Sequence, residues 1–183
     1  DAMGATMATY CGQNVGACKL DRLGKGVRDC TILGLGCSIL VLGAMLLFAP
    51  QCAMLFLDPG EADAALLVEL TSRYTVIMTA FFFPLALVNI LRFSIQGMGY
   101  SVFAILAGVL EMVARTGVGL FLVPRLGYIA ACFASPAAWV CADLFLIPAC
   151  VGCIARLRKR YPNVLSEGEE EPRSESAEAA VRR

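Results

Sequence analysis

The chain has 183 residues, of which 58% are hydrophobic, with a mean hydropathy of +0.72 and 15 bases balanced by 15 acids. Soluble domains contain about 45–50% apolar residues, whereas here these residues form runs of about twenty, the length of a helix that crosses a bilayer. This composition excludes an ordinary soluble domain. The zero net charge says nothing about a nucleic-acid partner, because the charges are segregated into loops and tail, and no such partner is expected. It predicts an all-α fold: a polytopic transmembrane bundle of four complete helices plus the end of a fifth.

The N-terminal part of the chain divides into an apolar segment and a basic one. Residues 1–13 are interpreted as the end of a transmembrane helix whose start is missing, so the chain would be the C-terminal part of a longer protein. Residues 14–29 contain three glycines and four bases between hydrophobic runs. This composition is typical of a turn, and we predict a basic cytoplasmic loop over 14–29.

Four complete spans are predicted within residues 30–155, at 30–48, 74–91, 102–122 and 128–154. The first is expected to end at Ala49-Pro50, and Pro136 and Pro148 are available to bend the last. Residues 156–183 begin with four bases and continue as a segment rich in Glu and Ser. Such a composition cannot form a packed core, which predicts a cytoplasmic, mostly disordered tail.

The distribution of bases predicts the orientation of these spans. Cytoplasmic ends carry the excess of Lys and Arg in membrane proteins. One set of ends holds nine bases and the opposite set two, so the nine are assigned to the cytoplasm together with the C-terminus of a multi-pass protein of the cell membrane. The nine are Lys19, Arg22, Lys25, Arg28, Arg92, Arg156, Arg158, Lys159 and Arg160, and the two are Arg73 and Arg125.

Polar residues inside the predicted spans are the candidate sites for ion coupling or substrate binding, because ionisable groups are costly in a membrane. Glu111 and Arg115 lie one turn apart on one helix face, either as a structural ion pair or as a carboxylate that exchanges a proton or sodium ion while Arg115 tunes its affinity. Asp143 should face a cavity or a partner helix, and for it too both a structural and a coupling role stay open. For Asn89 we favour an interhelical hydrogen bond.

Residues suited to metal binding or catalysis are scarce. The chain has nine cysteines, most of them inside apolar segments, and no histidine. Cysteine in such segments behaves as a small hydrophobe. We therefore expect no metal site, no catalytic residues, no enzyme activity and no cofactor beyond a coupling sodium ion or proton.

Four segments, in this order, resemble the multidrug and toxic compound extrusion (MATE) transporters: GQNVGACKLDRLGKGVR, LFAPQCAMLFLDP, LRFSIQGMGYS and GYIAACFASPAAWVCADLFLIP. Cys18 departs from the family pattern, which usually has glycine there. The resemblance implies a twelve-helix transporter to which this chain contributes the end of helix eight and helices nine to twelve. Its partners would be membrane lipid, small organic substrates and the missing N-terminal helices of the same protein.

The resemblance implies a secondary active antiporter that exports drugs or other organic, often cationic, compounds in exchange for sodium ions or protons. A lipid-linked saccharide flippase of the same superfamily is one alternative, and it would be expected to have a basic central cavity. A non-transporting membrane scaffold subunit is another, in which Glu111 and Arg115 would be inert.

Overall fold

The computed structural model describes residues 1–55 and 64–161, and nearly all of these are helical. The elements are α1 (Ala2–Gly16), α2 (Asp21–Met54), α3 (Ala64–Ala80), α4 (Phe82–Gly97), α5 (Ser101–Gly117), a π-helical turn (Val118–Leu122), α6 (Val123–Leu126) and α7 (Tyr128–Arg160). Within this part of the chain there is no β-strand, which confirms the predicted all-α bundle. The predictions for most of the loop after α2 and for the tail from residue 162 fall outside the described residues.

The helices account for the predicted spans by their length and apolar character. Three are long and apolar enough to cross a membrane: α2, the rod from α5 to α6, and α7. Helices α3 and α4 form a fourth candidate span as a pair bent by 47°. The shorter α1, of 15 residues, precedes them.

The basic segment 14–29 is mostly helical, which differs from the loop expected there. Helix α1 continues to Gly16 and α2 begins at Asp21, so residues 17–20 alone connect the two. The glycines of this segment serve packing as well as turns: a Cβ at Gly26 would lie 2.3 Å from the ring of Tyr10. The Tyr10 hydroxyl of α1 donates a hydrogen bond to the carbonyl of Arg22, which lies on α2 together with Gly26.

The prolines act differently from one another. Helix α2 passes through Pro50, where the sequence predicted its end, and α7 passes through Pro136 and Pro148 and continues to Arg160, into the predicted tail. The break between α3 and α4 lies at Phe81, three residues before Pro84. A proline lacks an N–H and its ring clashes with the carbonyl four residues earlier, and that residue is Ala80, the last of α3.

Helix α4 is the centre of the bundle and packs against α1, α2, α5 and α7. Its contact with α1 depends on small residues, since a Cβ at Gly97 would lie 2.3 Å from the carbonyl oxygen of Ala8. The buried core continues from this contact to α2 and α7 and includes Leu20, Leu23, Ile95, Leu146 and Cys153. The outer faces are apolar, as a lipid environment requires: Leu40 is 72% exposed and Leu144 71%.

The α1–α4 contact predicts that Gly97→Ala destabilises the protein. The added methyl group would clash with the backbone at Ala8, and overpacking of this kind costs about 1–3 kcal/mol. The measurement is the apparent melting temperature in detergent. Gly108→Ala on α5 is the control, because a Cβ there meets nothing within 4 Å. Equal melting temperatures for the two variants would contradict the close approach.

Cys18, the departure from the MATE pattern, has a left-handed backbone with φ +57°. This conformation costs an L-residue roughly 1–2 kcal/mol, and glycine adopts it readily. Cys18→Gly is therefore expected to raise the apparent melting temperature, with a net gain of up to about 1 kcal/mol after the added flexibility of the unfolded chain. Cys37→Gly, inside α2, should have the opposite effect, and a loss in both variants would refute the strain at Cys18.

Candidate functional site

An ion pair between α4 and α5 is the most buried charge pair in the described part of the chain. Arg92 Nη2 donates to Glu111 Oε1 at 2.6 Å, and the two side chains are 23% and 17% exposed. The other ion pairs among the described residues, Arg28–Asp29 and Arg158–Asp21, have side chains that are 46–71% exposed. Charge-assisted bonds are strongest where water is excluded, so the Arg92–Glu111 bond is expected to be stronger than the two exposed pairs.

The hairpin of α4 and α5 brings these residues together. Gly99 has φ +87°, a conformation suited to glycine, and reverses the chain. Arg92 lies seven residues before Gly99 and Glu111 twelve after it, so their backbones differ in depth by about 7–8 Å at the helical rise of 1.5 Å per residue. The long Arg92 side chain spans that difference.

Asp143 adds a second carboxylate from α7. It is 7% exposed and lies near the buried residues Trp139, Ala142 and Leu146 on the same helix. Its Oδ1 is buried without a hydrogen-bond partner among the described residues, and α7 packs against α5, the helix that carries Glu111. We refer to Arg92, Glu111 and Asp143 as the charged cluster. Asp143 was predicted to face a cavity or a partner helix, and its burial agrees with a position inside the bundle.

Arg115 does not pair with Glu111, which corrects the sequence interpretation. Its side chain is exposed on α5, while Glu111 faces Arg92 of the neighbouring helix. Residues four apart on a helix can interact, but a partner on a packed helix gives a more buried and shorter contact.

Asn89 also differs from its prediction. Its side-chain Nδ2 donates to the carbonyl of Leu85 at 3.1 Å, a bond within α4 and not between helices. Because Asn89 lies three residues before Arg92, it shares the α4 face next to the charged cluster. It is half-buried there.

Arg92 was not predicted as a site residue, because the second span was expected to end at residue 91. Helix α4 runs on to Gly97, so Arg92 lies more than a turn inside it. A base so placed would have counted as an intramembrane charge. The sequence feature that indicates this position is the run from Phe93 to Gly97, which contains no glycine or proline before Gly97 and so allows the helix to continue past Arg92.

The chemistry open to the charged cluster is the binding and release of a small cation. Among the described residues no group of three or more His, Cys, Asp or Glu side chains could hold a metal ion. The cluster contains one base and two carboxylates. Asp143 can therefore change its charge without breaking the ion pair between Arg92 and Glu111.

A cavity of about 540 Å³ lies at the other end of the bundle, between α2, α3 and the start of α7. Its lining is mainly apolar, with Ser72, Arg73 and Tyr128 as the polar residues. The Tyr128 hydroxyl donates to the carbonyl of Leu70, which joins α7 to α3 at this end. The charged cluster contributes no residue to this lining.

The chain matches a family model described as MatE over residues 2–121. The matched region is more than half of the chain and includes Arg92 and Glu111, whereas Asp143 lies beyond it. Comparison with curated proteins and with solved structures finds no match.

The geometry predicts that Arg92 and Glu111 are energetically coupled. Removing one partner leaves a poorly solvated charge, so Arg92→Ala or Glu111→Ala alone should lower the free energy of unfolding by up to about 3 kcal/mol. The double variant should lose less than the sum of the two single losses. The measurement is unfolding in mixed micelles titrated with SDS.

Arg115→Ala is the matched control for this cycle, since its side chain is exposed and such changes are usually within about 0.5 kcal/mol. Strict additivity of the Arg92 and Glu111 losses would contradict the pairing.

Proposed function

The chain belongs to the MatE family of membrane transporters, and on that basis we propose that it acts as a secondary active antiporter. Such a protein would export organic, often cationic, compounds in exchange for sodium ions or protons that move inward. The observation that carries this proposal is the charged cluster, a base and two carboxylates among helices suited to a membrane. Ionisable groups in membrane helices are costly and characteristically mark ion or substrate pathways.

The charged cluster can couple two ligands through a shared conformational equilibrium. Binding of a cation to a carboxylate of the cluster would favour one arrangement of α4, α5 and α7, and substrate would favour another. A ligand shifts such an equilibrium only by its differential affinity for the two states. The helices that carry the cluster all contact one another, so a change in its charge acts directly on their packing.

We also propose that the basic end of the bundle lies in the cytoplasm of a cell-membrane protein. The turn at 17–20 and the end of α7 meet there, where Arg158 pairs with Asp21 at 3.5 Å. Arg92 is engaged by Glu111, but the remaining bases of that end still outnumber those of the opposite end. The positive-inside rule therefore keeps its direction.

Two alternatives make different demands on the described residues. A saccharide flippase would use a basic central cavity, whereas Arg92 is neutralised by Glu111 and Arg115 is exposed at the bundle surface. A scaffold subunit would leave the charged cluster without a task beyond folding. The antiporter makes use of the unpartnered Asp143 oxygen and is the function that we favour.

The antiporter proposal predicts that Glu111→Gln reduces ion-driven efflux by at least tenfold. The substitution keeps the shape of the side chain and removes its charge, so the response of the cluster to a cation is lost. The measurement is efflux of ethidium from cells that express the complete protein, after imposition of a sodium or proton gradient.

Glu69→Gln on α3 is the matched control for this experiment, because Glu69 is an exposed carboxylate outside the cluster. Unchanged efflux in Glu111→Gln, at equal expression, would remove Glu111 from the mechanism. Absence of ethidium efflux in the unmodified protein under both gradients would favour the scaffold.

A further inference from the structure

We propose that the cavity between α2, α3 and α7 binds a glycerophospholipid, with the phosphate at Arg73 and an acyl chain along the apolar wall. The lipid would come from the leaflet at the end of the bundle opposite the basic end. This inference does not depend on the antiport function, since the charged cluster contributes no residue to the lining. It is carried by the order of polar and apolar residues in the lining, by an exposed base and by a buried hydroxyl.

The lining of the cavity changes from polar to apolar along the axis of the bundle. On α3, the polar pair Ser72 and Arg73 lies one turn, about 5.4 Å, closer to this end of the bundle than Val76. On α7, Tyr128 is the first residue of the helix and lies one turn closer than Cys132. A phospholipid has the same order, because its head lies in the interfacial region and its chains in the hydrocarbon core.

Two tyrosines indicate that the polar end of the cavity is at the membrane surface. Tyr74 and Tyr128 are both exposed there, and tyrosine is enriched at the level of the lipid headgroups. The hydrogen bond from the Tyr128 hydroxyl to the carbonyl of Leu70 shows that α3 and α7 are level at this point. Arg73, next to Tyr74 in the chain, therefore lies at the depth of a lipid phosphate.

Arg73 is a base that a phosphate can reach. It is exposed and lines the cavity, and it takes no part in the ion pairs formed within residues 1–55 and 64–161. A guanidinium binds phosphate through two parallel N–H···O bonds, and basic pockets between membrane helices bind lipid headgroups. Its positive charge would repel an organic cation, so this end of the cavity favours an anionic group.

Ser72 offers a hydrogen bond that the described residues leave unmade. Its Oγ is buried without a partner there, although the residue lines the cavity. The hydroxyls of Thr75 and Thr79 on the same helix, by contrast, donate to backbone carbonyls one turn earlier. A buried hydroxyl without a partner is costly. An ester carbonyl of a glycerolipid accepts hydrogen bonds and would be that partner, next to the phosphate at Arg73.

The apolar part of the cavity suits an acyl chain. The volume of about 540 Å³ lies within the range of about 300–1,000 Å³ that is common for small-molecule sites. Water is a poor occupant, because apolar cavities stay dry. A chain bound there would contact α2, α3 and α7 at once and so hold α3 against its neighbours. All three helices contribute to the apolar wall, which includes Leu46, Ala49, Val76, Ile77, Ile129 and Phe133.

The test measures binding of dioleoylphosphatidylglycerol to the complete protein, delipidated in detergent, by native mass spectrometry. Arg73→Gln should weaken binding about tenfold, because hydrogen bonds to a charged group are the strongest that the site can make. Ile129→Trp should also weaken binding, since it fills the apolar part from a position that is 52% exposed and so tolerates a larger side chain. Dioleoylglycerol, which has the same chains and esters but no phosphate, should bind about tenfold more weakly than the phospholipid.

Arg125→Gln and Val151→Trp are the matched controls for these variants. Arg125 is an exposed base near the same end of the bundle, and Val151 is an exposed apolar residue of α7. Neither lines the cavity, so both variants should bind the phospholipid as the unmodified protein does. Gel filtration of each variant checks that it is folded, and either cavity variant alone is enough to test the site.

Each contrary outcome overturns a stated part of the proposal. Equal affinity in the cavity variants and the controls would show that the lipid binds elsewhere on the surface. Equal binding of dioleoylglycerol would overturn recognition of the phosphate, and displacement by inorganic phosphate alone would assign Arg73 to a free anion. Displacement by ethidium would assign the cavity to substrate. A complete protein that binds no phospholipid would show that another part of the chain fills the cavity.

Discussion

The constraint on which this structure depends is the cost of placing charge among apolar helices. Burial of an ion in a medium of low dielectric costs several kcal/mol unless a partner compensates for it. Helices α4 and α5 meet this constraint with the Arg92–Glu111 pair, and α7 brings Asp143 beside it without a partner for Oδ1. The ion pair and the proposed coupling therefore involve the same three side chains.

Hydrophobic run length was sufficient to predict the architecture, because a bilayer demands helices of a definite length. Run length was insufficient to predict the residues at which the helices begin and end. The bases and glycines of residues 14–29 have the composition of a loop, yet Asp21 begins a helix there and Gly26 accommodates the ring of Tyr10. The composition of a segment indicates which conformations are possible for it, whereas packing against the neighbouring helix determines which conformation it adopts.

The candidate site was predictable in part. Glu111 and Asp143 were identifiable because a carboxylate in a span is costly wherever the helix points. Their partners were not, since pairing depends on the rotation and depth of neighbouring helices. Arg115 is one turn from Glu111 in sequence but exposed, and Arg92 reaches Glu111 from another helix across 19 residues of chain. The hydrogen bond of Asn89 within its own helix shows the same limit.

The break between α3 and α4 divides one span into two helices with different contacts. Helix α4 holds Arg92 and the core contacts to α1 and α7, whereas α3 contacts chiefly α2 and the start of α7 at the cavity end. With Pro84 in place, the backbone at Phe81 already lacks a continuous ladder of helical hydrogen bonds. A change in the angle of α3 would therefore be opposed by its contacts with α2 and α7, and not by separation of Arg92 from Glu111, which lie on α4 and α5. Motion at the cavity end would therefore leave the Arg92–Glu111 contact in place.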